Sequence, residues 1–213
     1  MAINFTSLSE DTQAPVSAPV EVAPAAPGIS LDLSKNSVLD LSKAAPGLTM
    51  VDLCAGWDIS AGGADFDLDI SAFLLNAAGK ITSGSDVVFY NNKTVAGVNL
   101  NGDNRTGSGE GDDEVISINL AQVAPTTNKI VCCVTIHEAV ARRQTFGMVN
   151  NSYVRLVNKE TNAELCRFTL KDDYLTDTAV VFAELVRDGS NWVFHTIGEG
   201  VQADLNQLCT RFQ

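Results

Sequence analysis

The stretch Lys129-Ile130-Val131-Cys132-Cys133-Val134-Thr135-Ile136 decides the fold. It is apolar on both faces, as a strand in the middle of a covered sheet has to be. In such a strand the adjacent Cys132 and Cys133 point to opposite faces. Strand candidates extend outward on either side. Upstream they are residues 49–57, 66–75, 85–90 and 114–120. Downstream they are residues 152–157, 164–170, 179–187 and 192–197. Glycine or asparagine turns separate several of them, at residues 76–79, Gly84, Gly97 and 188–190. Strands recurring about every ten residues between such turns predict an all-β sandwich or barrel. Helix is scarce. Residues 203–211 bring Leu205, Leu208 and Cys209 to one side, which predicts a short amphipathic C-terminal helix. Residues 138–144 predict a helical turn.

The ends of the chain read differently. Residues 6–27 form a Pro/Ala/Ser/Val stretch without a period, read as a flexible arm. This divides the chain into an arm, 1–27, and one domain, 28–213. Leu31-Asp32-Leu33-Ser34-Lys35 recurs as Leu39-Asp40-Leu41-Ser42-Lys43. The Leu-x-Leu alternation, with Asn36-Ser37 between the copies, predicts a hairpin. The start, Met1-Ala2-Ile3-Asn4-Phe5, lacks a basic segment and a continuous apolar run, so no secretory signal is expected. No apolar run approaches the ~18–20 residues that span a bilayer. The expected location is the cytoplasm, without membrane insertion. Five cysteines with irregular spacing and no CxxC pair read as buried thiols in a reducing compartment.

Charge points to the site. The 213 residues carry a net charge of −12, which disfavours nucleic acid and an anionic membrane surface as main partners. Residues 52–114 alone hold −8 of it. Two clusters account for most of this. In Asp65-Phe66-Asp67-Leu68-Asp69-Ile70-Ser71 a strand puts the acids and Ser71 on one face and the apolar residues on the other. Same-face carboxylates about 7 Å apart repel by about 2 kcal/mol per pair, and a bound cation reverses that sign. The second cluster runs from Gly102 to Glu114, with four glycines between 102 and 111 that let the loop fold tightly. Its donors are oxygens, and Asn91-Asn92 after a strand adds amide oxygens. No histidine or cysteine lies between 55 and 114, which disfavours zinc, copper and iron–sulfur chemistry. Irregularly spaced oxygens suit Ca²⁺ better than Mg²⁺. The spacing is not an EF-hand, because Ile70 and Asn76 stand where that loop needs glycine and glutamate. Taken singly, each acidic loop also reads as a solvated turn.

Enzyme signatures fail one by one. His137-Glu138 begins an HExxH pattern, but Ala141 holds the place of the second histidine. Cys132 and Cys133 near His137 lie in an apolar strand, where thiols are inert. No GxSxG or Walker loop is present. Gly111-Asp112-Asp113 is similar to a polymerase carboxylate motif, in a chain too short and too acidic for one. Paired carboxylates could serve glycoside hydrolysis, but aromatics at 7% are too few for a sugar cleft. A non-enzymatic protein is expected.

Several segments, in order and spacing, resemble the TerD family of bacterial tellurite-resistance and stress-response proteins. They are Leu41-Ser42-Lys43-Ala44-Ala45-Pro46-Gly47-Leu48, Gly56-Trp57-Asp58, Phe66-Asp67-Leu68-Asp69 and Val88-Phe89-Tyr90-Asn91-Asn92. Downstream come Gly102-Asp103-Asn104-Arg105-Thr106-Gly107, Gly111-Asp112-Asp113-Glu114, Thr135-Ile136-His137-Glu138-Ala139 and Arg155-Leu156-Val157-Asn158. The resemblance covers residue 28 to the end. It implies a β-sandwich of two mostly antiparallel sheets with acidic loops that bind Ca²⁺. It also implies a role in resistance to tellurite and related stresses, phage included. Implied partners are other TerD-family proteins and a membrane-embedded component of the tellurite system. Carried over residue by residue, the implied ligands are Asp58, Asp67, Asp69, Asn91, Asn92, Asp103, Asn104, Asp112, Asp113 and Glu114. No catalytic residue carries over. Ser108 stands where many members have an acid, and Lys93 follows the paired asparagines. The alternative reading is a structural or assembly protein that uses such a domain, with the arm as its docking segment.

Overall fold

The computed structural model describes residues 37–59, 65–102, 104–108, 111–170 and 173–213. Twelve strands among these residues form two six-stranded sheets. Their chain order is β1 (Val38–Asp40), β2 (Met50–Asp58), β3 (Leu68–Leu75), β4 (Val87–Val88), β5 (Thr94–Val95) and β6 (Val98–Leu100), then β7 (Glu114–Asn119), β8 (Lys129–Ile136), β9 (Asn150–Asn158), β10 (Ala163–Thr169), β11 (Ala179–Asp188) and β12 (Asn191–Val201). Three short helices are α1 (Leu41–Ala44), α2 (Ala139–Arg142) and α3 (Leu205–Arg211). The first sheet has the order β1-β12-β11-β8-β3-β4, the second β10-β9-β2-β7-β6-β5, and neighbours run antiparallel. The expected all-β sandwich is the fold.

The doubly apolar strand sits where its sequence puts it. β8 lies between β3 and β11 and buries everything from Ile130 to Ile136. Ile130, Cys132, Val134 and Ile136 join the main core between the sheets. Val131 and Cys133 face the other way, into a second cluster with Phe73, Leu75, Ile81 and Val181. α3 closes that second cluster with Leu208 buried, while Leu205, Cys209 and Phe212 pack against it. An Asp204 side-chain oxygen accepts from Gln207 N (2.8 Å), and the Gln207 side chain accepts from Asp204 N (2.9 Å). This capping box starts the helix.

Three expectations need correction. The second Leu-x-Leu pentad is not one strand. β1 ends at Asp40, whose carboxylate accepts from Ser42 N (3.1 Å) and caps α1 at Leu41. β1 pairs with β12; residues 31–36, the other half of the expected hairpin, lie outside the described residues. Residues 85–90 form only the two-residue β4 after a 3-10 turn, because the Asp86 carboxylate draws the Thr82 and Ser83 amides into a cap. The strand expected over residues 66–75 begins only at Leu68, so Asp67 precedes it, and α3 and the Ile81 loop cover the side of β3 that faces away from the main core.

The connections that matter leave one end of the sandwich. There β2 ends, β3 begins and β8 ends, with Leu68 opposite Ile136 and Asp58 opposite Asn150. β7 begins beside them, with Glu114 opposite Ala55.

Candidate functional site

Asp67 immediately precedes β3 and Asp69 is its second residue, both turned away from the core that holds Phe66, Leu68 and Ile70. Both are buried, at 6% and 5% exposure, yet both line a cleft of about 240 Å³ with Tyr90, Arg105 and His137. Arg105 Nε stands 3.6 Å from Asp67 Oδ2, and His137 Nδ1 stands 3.3 Å from Asp69 Oδ2. His137 follows β8, and its ring meets Tyr90 edge-on at 5.6 Å. The cleft continues past Asp65, Thr106, Glu138 and Arg142 on one side. On the other it reaches Thr135 and Asn206. Arg142 and Gln144 both donate to the Asp65 carbonyl, Gln144 at 3.0 Å, and so hold the entry to β3 against α2.

The other implied ligands lie apart from that pair. Glu114 is 1% exposed and accepts from Ile70 N (2.7 Å) across the gap between the sheets. Asp113 Oδ2 accepts from Trp57 N (2.9 Å), and its Oδ1 accepts from Asn104 Nδ2 (2.6 Å). Asn104 Oδ1 in turn accepts from Thr106 N (3.1 Å) and Gly107 N (3.2 Å), so Asn104 braces its own loop. Gly107 is needed there. Its φ is +69°, and an added Cβ would fall 2.5 Å from Trp57 Nε1, whose N–H donates to Phe66 O (3.0 Å). Asp112 points to the outer face of the second sheet. It accepts from Arg155 Nε (2.8 Å) and Nη2 (2.7 Å) and from the Tyr153 hydroxyl (2.9 Å). Burial pushes Asp112 up, but the hydrogen bonds from Arg155 and Tyr153 outweigh it and hold the carboxyl below its ordinary range. Asp58 stays exposed, accepts from Asn151 Nδ2 (2.5 Å) and lines a separate pocket of about 470 Å³. Asn92 Nδ2 donates to Val87 O (2.7 Å) and closes the turn after β4, where Asn91 is exposed. Asp103 lies outside the described residues.

Relatives place the chain. A family profile described as the TerD domain matches residues 29–212. The chain belongs to the TerD family. Tellurium resistance protein TerD of Serratia marcescens is 46% identical over 187 residues, which span 86% of this chain and 97% of that protein. General stress protein 16U of Bacillus subtilis (strain 168) is 45% identical over 188 residues, again 86% and 97%. A solved structure described as a homologue of telluride resistance protein (TerD), SCO6318 from Streptomyces coelicolor A3(2), superposes with a TM-score of 0.66 at 26% identity. It covers 76% of this chain and 96% of that one.

A Ca²⁺ ion, which the TerD resemblance implies, fits the chemistry of the donors at β3. Two buried carboxylates share one cleft there with Tyr90, and carboxylate oxygens are the hard donors that Ca²⁺ takes. The described residues supply charge and hardness without a closed shell. Among them no three His, Cys, Asp or Glu side chains converge on one point.

Arg105, His137, Tyr90 and Arg155 were missing from the implied site. Sequence alternation does place Tyr153 and Arg155 on one face of β9, but nothing in it sets Arg155 near Asp112. Register between distant strands carries that information. Among the described residues no helix is long and apolar enough to cross a membrane.

Proposed function

We propose that this TerD-family chain is a Ca²⁺-binding, non-enzymatic protein of tellurite resistance and general stress response. It works in the cytoplasm as an adaptor with related proteins and with a membrane-embedded component of the tellurite system. The observation that carries the calcium reading is the pair Asp67 and Asp69, both buried and both open to one cleft. Carboxylates in that position repel one another, and a divalent ion between the loops turns the repulsion into cohesion. Asp67 and Asp69 would hold the ion, joined by oxygens of the glycine-rich loop at 102–114. The bound ion supplies two positive charges that fix that loop against β3. The resistance and stress roles rest on the names of the relatives above. Burial pushes the thiols of Cys54, Cys132, Cys133 and Cys166 up, which keeps them from acting as nucleophiles at neutral pH and supports the non-enzymatic reading.

The test is calorimetric titration of chelator-stripped protein with CaCl₂, paired with thermal melting. Calcium at 100-fold its dissociation constant should add about 2.7 kcal/mol of stability. Asp67→Asn should abolish the heat of binding while leaving the far-UV circular dichroism unchanged. No heat and no rise in Tm at millimolar calcium would sink the proposal.

A further inference from the structure

The cleft at β3 already contains a tethered cation. The Arg105 side chain is 73% exposed, yet its Nε reaches to 3.6 Å from Asp67 Oδ2, an atom of a side chain only 8% exposed. We propose that Arg105 is a built-in counter-ion at Asp67, which an incoming divalent cation must displace, and that Arg105 thereby sets the affinity of the site. This inference rests on the calcium reading above.

A comparison within the same molecule supports it. Arg155 grips Asp112 with two hydrogen bonds at 2.8 and 2.7 Å, and both partners are largely buried. Such a fork is slow to give up its carboxylate and leaves Asp112 committed to the sheet. Arg105 approaches Asp67 with Nε at 3.6 Å, beyond good hydrogen-bonding distance, with most of its side chain in solvent. Its loop contains Gly102 and Gly107, both at positive φ (96° and 69°), and the Asn104 turn rather than a strand carries the side chain. The guanidinium is already mostly in solvent, so releasing it costs little once a divalent ion takes over the charge of the buried Asp67. What remains after displacement is a positive charge near a doubly positive ion, and that repulsion lowers affinity. A monovalent ion would only exchange one unit charge for another. A divalent ion adds net attraction to Asp67 and Asp69, so the tethered arginine favours divalent ions.

Titration of the full-length, chelator-stripped chain with CaCl₂ tests this on three proteins: the wild type, Arg105→Gln and Arg105→Lys. Arg105→Gln removes the competing charge and should bind about tenfold more tightly. Arg105→Lys keeps the charge without the fork and should stay within about twofold of the wild type. That rescue separates a charge effect from a structural role. Binding by Arg105→Gln that is unchanged or weaker overturns the inference and leaves the calcium reading standing. So does Arg105→Lys binding as tightly as Arg105→Gln. Heat from none of the three proteins overturns both readings.

Discussion

Asp112 and Asp113 are neighbours in the chain and lie in opposite electrostatic settings. Asp113 is raised because burial outweighs the Trp57 N–H it accepts, with the charges of Asp112 and Asp58 adding to the rise. Asp112 is lowered by Arg155 and Tyr153 despite its burial. The two carboxylates therefore move stability in opposite directions with pH. Asp112, depressed in the folded state, contributes stability that is complete above the ordinary value of 3.8 and fades as pH falls through its lower folded value. Asp113, raised when folded, opposes folding at neutral pH and relaxes as pH falls toward 3.8. Arg155→Met should cost about 2–3 kcal/mol at pH 7, read as a lower urea midpoint, because it leaves Asp112 buried without its cation. The gap between wild type and variant should narrow below pH 4. A gap that stays constant to pH 2 would mean that Asp112 is not the group responsible. The family resemblance grouped both aspartates as ligands. Crowding in the sequence made the acids visible and hid the cations that answer them, because Arg155 and His137 reach the acids through strand pairings between distant segments.

At the level of elements, composition told most where burial is uniform. β8 was legible because both its faces are apolar, and α3 because its leucines repeat on one side. β1 and α1 were not legible. Leu39 and Leu41 are both buried, as alternation requires, but the Asp40 cap turns the chain between them. The bulge at Trp57 was hidden for a different reason. The register of β2 against β9 shifts between Gly56 and Asp58, and this bulge lets Trp57 N reach Asp113 while its ring stays in the core. α3 gives the element-level prediction. Leu208 is 1% exposed and fills the second cluster above Phe73 and Cys133. Leu208→Ala should lower stability by about 2–4 kcal/mol, as a cavity left under a helix does. Chemical denaturation measures it, and a loss under 1 kcal/mol would show that α3 is not needed to close that cluster.

For the whole molecule, the sandwich and the family were readable from order and spacing, whereas the gathering of the β2–β3, β6–β7 and β8–β9 connections at one end was not. The core begins at Leu39 among the described residues, and the family match begins at residue 29. Removing residues 1–27 should therefore leave Tm almost unchanged. In a chain of this size about 1 kcal/mol moves Tm by about 2–4 °C. A larger drop on scanning calorimetry would mean that the arm packs on the sandwich.

Cys132 and Cys133 are adjacent residues that belong to different interiors, one between the sheets and one beneath α3. A thiol reagent in solution meets two separate doors. Fraying of the C-terminal helix opens only the way to Cys133, whereas Cys132 waits for the sheets themselves to part. The order in which the two thiols are labelled thus records which wall gives way first, a chronometer that the chain carries in a single peptide unit.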